Sequence, residues 1–162
     1  MEQAALVDQL VLARRKMFLQ YKLDQANNRL IVLMRKLVDD AKISGGRMEK
    51  SQIGNLLEVA MDTDSVELVK NFIQYQMGRD VGGTTWRSNA FGDNFVKAID
   101  GELKTMARDL ATKASERRDL GTFTPAELEE ATDAAWIGLV RHFIGQMNRY
   151  FYYQKEAQRW KK

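Results

Sequence analysis

AALVDQLVLARRKMFLQYKLDQANNRLIVLMRKLVDDAKI, residues 4–43, runs for forty positions without a glycine or a proline. Leu, Ala, Lys and Arg are abundant in it, and no alternating β-branched run interrupts them, so it reads as helix. Its apolar stripe changes phase along the way. At 100° per residue Val7, Leu10, Val11, Met17, Phe18 and Tyr21 share one face, whereas Leu30, Met34, Leu37 and Ala41 fall on roughly the opposite one. Two arrangements satisfy that pattern: a break near Ala26-Asn27-Asn28, or one long helix packed on different partners at its two ends. A break or kink is the expectation.

Outward from this stretch the punctuation remains helical. Gly45-Gly46 closes it, and a short helix carrying Ile53, Leu56, Leu57 and Ala60 follows. Asp64, with Glu67 three residues on, has the spacing of a capping box for a helix running to about Met77 and stopping at Gly78. Gly82-Gly83-Thr84-Thr85 signals a loop, and a further helix is expected from about Asn89 to Arg117. The last helix opens at Thr124-Pro125-Ala126-Glu127: Thr124 caps, Pro125 takes the first helical position and Glu127 reaches back. With one proline in 162 residues, the expected fold is all-α, a compact bundle of about five to six helices in a single domain over residues 1–162.

Composition narrows the function classes. A chain with 44% hydrophobic residues has enough apolar surface for one core. Its net charge is only +3, so contact with nucleic acid requires a local basic patch. The absence of cysteine excludes disulfides, thiolate metal sites and cysteine nucleophiles, and fits a cytoplasmic address. No apolar run is long enough for a membrane span, and Glu2-Gln3 does not begin a signal peptide, so no membrane partner is expected.

Catalysis by hydrolysis or group transfer usually recruits a nucleophile with a base, or a cluster of metal ligands. The only histidine, His142, adjoins Phe143 on the final helix and reads as a packed or partly exposed side chain. Asp62-Thr63-Asp64 resembles a magnesium-binding pair, but acidic residues at a helix start are expected as caps and dipole partners. Gly82-Gly83-Thr84-Thr85 lacks the glycine, lysine and serine spacing of a phosphate-binding loop. No enzyme activity, catalytic residue, metal or cofactor is expected.

Binding features are richer. Lys97, Lys104 and Arg108 fall within about 40° on an ideal wheel, opposite Phe95, Ile99, Leu103, Met106 and Leu110, and Arg117 and Arg118 continue the charge. Such a ridge is either a solvated face or a track for a phosphate backbone. The C-terminal helix is acidic early and basic from Arg141 and Arg149 onward, with Tyr152, Tyr153 and Trp160 interleaved. Trp136, Phe143 and Tyr150, and Ile137, Ile144 and Phe151, recur at heptad spacing and read as core or as a helix-partner surface. Tyr152, Tyr153 and Trp160 then remain to stack on bases or bury against a partner subunit. Arg79 follows Phe72 by seven residues and Tyr75 by four, beside the apolar face, where it needs a partner: an internal carboxylate, an RNA phosphate or a neighbouring subunit.

Ser51-Gln52-Ile53-Gly54-Asn55-Leu56-Leu57, followed by Val69-Lys70-Asn71-Phe72-Ile73-Gln74-Tyr75-Gln76-Met77-Gly78-Arg79-Asp80, resembles the central motif pair of the Csm-type small subunit of type III CRISPR effector complexes. The resemblance covers about 30 residues together with the aromatic, basic C-terminal helix. It implies a non-catalytic antiviral-defence subunit of an RNA-guided ribonucleoprotein, contacting guide and target RNA backbone, the backbone and large subunits, and copies of itself. Under it Arg79, Lys97, Lys104, Arg108, Arg117, Arg118, Arg141 and Arg149 are expected to meet RNA, and Tyr152, Tyr153 and Trp160 to meet partners. The alternative is a helical protein-interaction adaptor without a nucleic-acid role, possible as a homodimer through the heptad-like face of the last helix.

Overall fold

The computed structural model describes residues 1–162 and is all-α, without strands. Helices α1 (Glu2–Ala41), α2 (Lys50–Asp62), α3 (Val66–Arg79), α4 (Phe91–Ala98), α5 (Lys104–Ser115) and α6 (Pro125–Trp160) pack around one core of 30 buried residues. A π turn, Ile99–Leu103, joins α4 to α5 without a break, so five rods make the bundle. No helix is long and apolar enough to cross a membrane.

The expected break at Ala26-Asn27-Asn28 does not occur, because α1 is a single helix of 40 residues. Its second half is held through Leu23, Leu30, Met34, Val38 and Ala41, all buried. The first half turns its other face outward: Leu6, Val7, Leu10, Met17 and Tyr21 are each at least half exposed. The phase change therefore records a change of surroundings and not of backbone. The helix ends in a left-handed Lys42, where Nδ2 of Asn89 donates to the Ala41 carbonyl at 2.9 Å.

Cross-helix bonds fix the direction of the two longest helices. Arg15 pairs with Glu127 at 3.3 Å, Asn27 meets His142 at 3.0 Å, and Asp39 accepts from Tyr150 at 2.8 Å and Gln154 at 3.0 Å. Residue numbers rise together along both, so α1 and α6 are parallel. The heptad-spaced face of α6 is spent inside the same chain, with Trp136, Ile137, Phe143, Ile144 and Phe151 buried and Tyr150 half-buried. That closes the homodimer route expected through this face. The Thr124–Glu127 capping box forms as expected, each backbone N–H donating to the other's side chain.

The box expected at Asp64 does not form. Ser65 caps α3, its Oγ accepting from Leu68 N–H at 3.2 Å, and the one-residue shift leaves Glu67 too early to reach back. Glu67 binds Lys70 instead, and Lys70 also reaches Asp100 in the π turn at 2.7 Å. Burial opposes charge on Lys70, but its bonds to Asp100 and Glu67 outweigh that and hold its pKa above the usual lysine value.

The connector after α3 is organised by Asp80, only 9% exposed. Its carboxylate accepts backbone N–H bonds from Thr84, Thr85 and Arg87 at 2.9–3.1 Å, and its carbonyl accepts from the Arg87 guanidinium. This drives Trp86 into the core, where Trp86, Phe91, Phe95 and Phe143 form a chain of rings with 5.7 Å between successive centroids. Gly92 allows close packing here: a Cβ at that position would lie 2.5 Å from the Met77 sulfur, which would have to move, and 3.0 Å from the Trp86 carbonyl oxygen.

Candidate nucleic-acid interface

A cleft of about 790 Å³ runs between α1 and α6 beside α2. α6 presents the small residues Ala134 and Gly145 to it, and a Cβ at Gly145 would meet nothing within 4 Å, whereas at Gly138 the two helices close up, a Cβ there lying 2.7 Å from Leu23 Cδ1. Leu19, Leu23, Leu57 and Met61 supply apolar lining. Lys16, Arg141, His142 and Arg149 lie along it with Gln20, Asn27 and Gln146, and no carboxylate lines it. Nδ1 of His142 lies 3.0 Å from Oδ1 of Asn27, so the lone histidine bridges α1 and α6.

The cations divide by what already holds them. Arg141 is committed: Nε donates to the Ala60 carbonyl at 2.9 Å, and Nη2 to the Thr63 carbonyl at 2.7 Å and to Asp64 at 2.9 Å. It clamps α6 to the turn between α2 and α3, with the exposed Asp64 carboxylate at the edge of the clamp. Lys16 and Arg149 make no ion pair within the chain and remain available at the cleft. Lys16 is not among the residues expected to meet RNA, since the Val7–Tyr21 apolar stripe dominates this part of α1. The run Arg14-Arg15-Lys16 was the signal, and it divides in the fold, since Arg15 turns inward onto the Leu120 carbonyl, Glu127 and the Phe123 ring.

The expected ridge of Lys97, Lys104 and Arg108 is not one line. Phe91, Phe95, Ile99 and Leu103 are buried at every fourth position, and the π turn then rotates all that follows by about one residue's step. The indole N–H of Trp136 donates to the Ile99 carbonyl at 2.9 Å at this wide turn. Lys104 is pulled to the flank, half-buried, with Nζ 4.5 Å from the centre of the Trp136 ring. Lys97 faces α1 beside Lys36 and Asp40, while Arg108 is exposed without an ion pair.

Further along, Arg117 is bound to Asp119 at 2.7 Å and lies over Phe18, whereas Arg118 is exposed and unpaired. Arg79 is exposed too. No carboxylate of the chain pairs with it, and its guanidinium sits 5.4 Å from the Tyr75 ring centre, so an arginine and a half-exposed tyrosine stand together at the end of α3. At the other end of α6, Tyr152, Tyr153 and Trp160 are all exposed: Lys50 lies 4.2 Å over Tyr152, and Tyr153 meets Trp160 edge-on at 6.1 Å.

The quoted motif pair is largely employed in the fold. Ile53, Leu56, Val69 and Ile73 are core, Gln52 accepts the Glu49 N–H at 2.9 Å, Lys70 joins α3 to the π turn and Asp80 shapes the connector. Its exposed side chains are Ser51, Asn55, Asn71, Gln74, Tyr75 and Arg79, of which Arg79 alone is charged and stands beside the Tyr75 ring. No three His, Asp or Glu side chains gather as a metal site. Compared with family models, curated proteins and solved structures, the chain gave no match.

Proposed function

We propose that this protein is a non-catalytic, RNA-contacting subunit of an RNA-guided effector assembly of the type III CRISPR class. The observation that carries the RNA contact is the carboxylate-free α1–α6 cleft with Lys16 and Arg149 unpaired along it. Two cations with no internal acid, beside amides and an apolar wall, favour an anionic chain of phosphates with splayed bases over an acidic partner helix. Arg79 over Tyr75 and the exposed Arg118 add phosphate-directed contacts elsewhere on the surface. Placement in a type III assembly rests on the sequence resemblance of the Ser51–Leu57 and Val69–Asp80 segments. Specificity then comes from guide base pairing, with the protein meeting shape and charge.

The test is a comparison of variants in RNA binding by the purified protein at low salt. Lys16→Ala with Arg149→Ala is expected to weaken binding to single-stranded RNA about tenfold and equally for unrelated sequences, with the helical signal unchanged. Unchanged affinity in that double variant removes the cleft from the interface.

A further inference from the structure

Free positive charge stands toward the two ends of the α1–α6 cleft and is missing from its middle. Lys16 lies toward one end and Arg149 toward the other, and between them His142 of α6 faces Asn27 of α1. Asn27 comes eleven residues after Lys16, and Arg149 seven after His142. Along the parallel helix axes the pair is therefore roughly 16 Å from one cation and roughly 10 Å from the other. Arg141, the remaining cation of the lining, is engaged by the Ala60 and Thr63 carbonyls. A ribose-phosphate strand laid from Lys16 to Arg149 thus crosses mid-cleft with only this imidazole free to meet its phosphates.

Asn27 determines what the imidazole offers. Its Oδ1 can only accept, so Nδ1 of His142 carries a hydrogen and donates to it at 3.0 Å. Nε2 is left without a partner in the chain and is open to solvent, since the only buried side-chain polar atoms lacking a partner are Trp86 Nε1 and Gln154 Oε1. In the neutral ring Nε2 is a bare acceptor, which a phosphate oxygen, itself an acceptor, does not approach. One added proton turns it into a charged N–H donor. The charged groups facing this stretch are Lys16 from α1 and Arg141 and Arg149 from α6, while α2 contributes only Leu57 and Met61. Asp24 accepts from Gln20 and Asp64 from Arg141, and neither lines the cleft. We infer that His142 is a third phosphate-binding residue of the cleft, competent only when protonated, so that the cleft holds RNA more tightly as pH falls through the imidazole range. The inference rests on the RNA reading of this cleft and adds regulation to it, a proton being taken up as the strand binds.

The probe is an oligouridylate without a terminal phosphate, because neither uracil nor a phosphodiester titrates between about pH 5.5 and 8, and His142 is the only histidine of the chain. At constant low salt, wild-type affinity is expected to rise about tenfold from pH 8 to pH 5.5. Calorimetry near pH 6.5 in buffers of different ionisation enthalpy should show proton uptake on binding. His142→Gln keeps an amide N–H for Asn27 and cannot titrate. It should match wild type at pH 8, gain little on acidification and take up no proton, with its helical circular dichroism unchanged. Wild-type affinity that depends on salt at pH 8 yet stays flat to pH 5.5 would overturn the inference and leave the RNA reading standing, whereas no binding at either pH would overturn both. An acid gain of equal size in His142→Gln would assign the effect to other groups and also overturn it.

Discussion

An Asp80→Ala protein is expected to lose about 3 kcal/mol of stability, seen as a melting temperature about 6–12 °C lower. The carboxylate is the shared acceptor for three backbone N–H groups of the connector, so its loss strands three donors around a nearly buried site. The same bonds set its titration. Burial raises the pKa, but the N–H groups of Arg87, Thr85 and Thr84 outweigh it and hold the carboxyl below its ordinary 3.8. A depressed folded-state value means that the stabilisation is complete above the unfolded value and disappears as pH falls through the folded one. The gap between wild type and Asp80→Ala should thus be full at neutral pH and narrow once the pH drops below about 3.8. Urea denaturation at several pH values checks this, and a gap that is small at pH 7 or constant into acid contradicts it.

Arg141→Ala is expected to cost about 2 kcal/mol and to leave RNA affinity nearly unchanged. Its guanidinium satisfies the Ala60 and Thr63 carbonyls, at and just beyond the C-terminal turn of α2, and the replacement leaves both without that donor. Asp64 contributes little, since its side chain is almost fully exposed. Thermal unfolding and RNA binding measured on one preparation separate the roles: a protein that melts as wild type but binds RNA poorly would return Arg141 to the interface.

These two residues show where a linear reading reaches its limit. The helices were legible because their evidence is local: the Thr124–Glu127 box lies within four positions, and the apolar spacing of α2 and α3 is uninterrupted. The kink expected in α1 failed because a phase change in a stripe is also produced by a helix that leaves its bundle, and only the neighbours distinguish the two. The ridge failed for a subtler reason. Apolar residues at 91, 95, 99 and 103 recur strictly every fourth position, a pitch that fits a wide turn better than a regular helix, yet an ideal wheel averages it away. Arg141 and Arg149 look alike in sequence. The carbonyls that engage one of them belong to residues about 80 positions away, and no spacing rule carries that information.

The measurement that bears most directly on the RNA role is the affinity of the unmodified protein for single-stranded RNA across salt. Contact through about three phosphates predicts an affinity that falls on the order of ten- to thirtyfold between 50 and 200 mM salt, with the same slope for unrelated sequences. The Lys16→Ala, Arg149→Ala protein should show a shallower slope by about the two contacts removed. Affinity that is indifferent to salt, or no detectable binding at low salt by protein that is fully folded, would contradict the account.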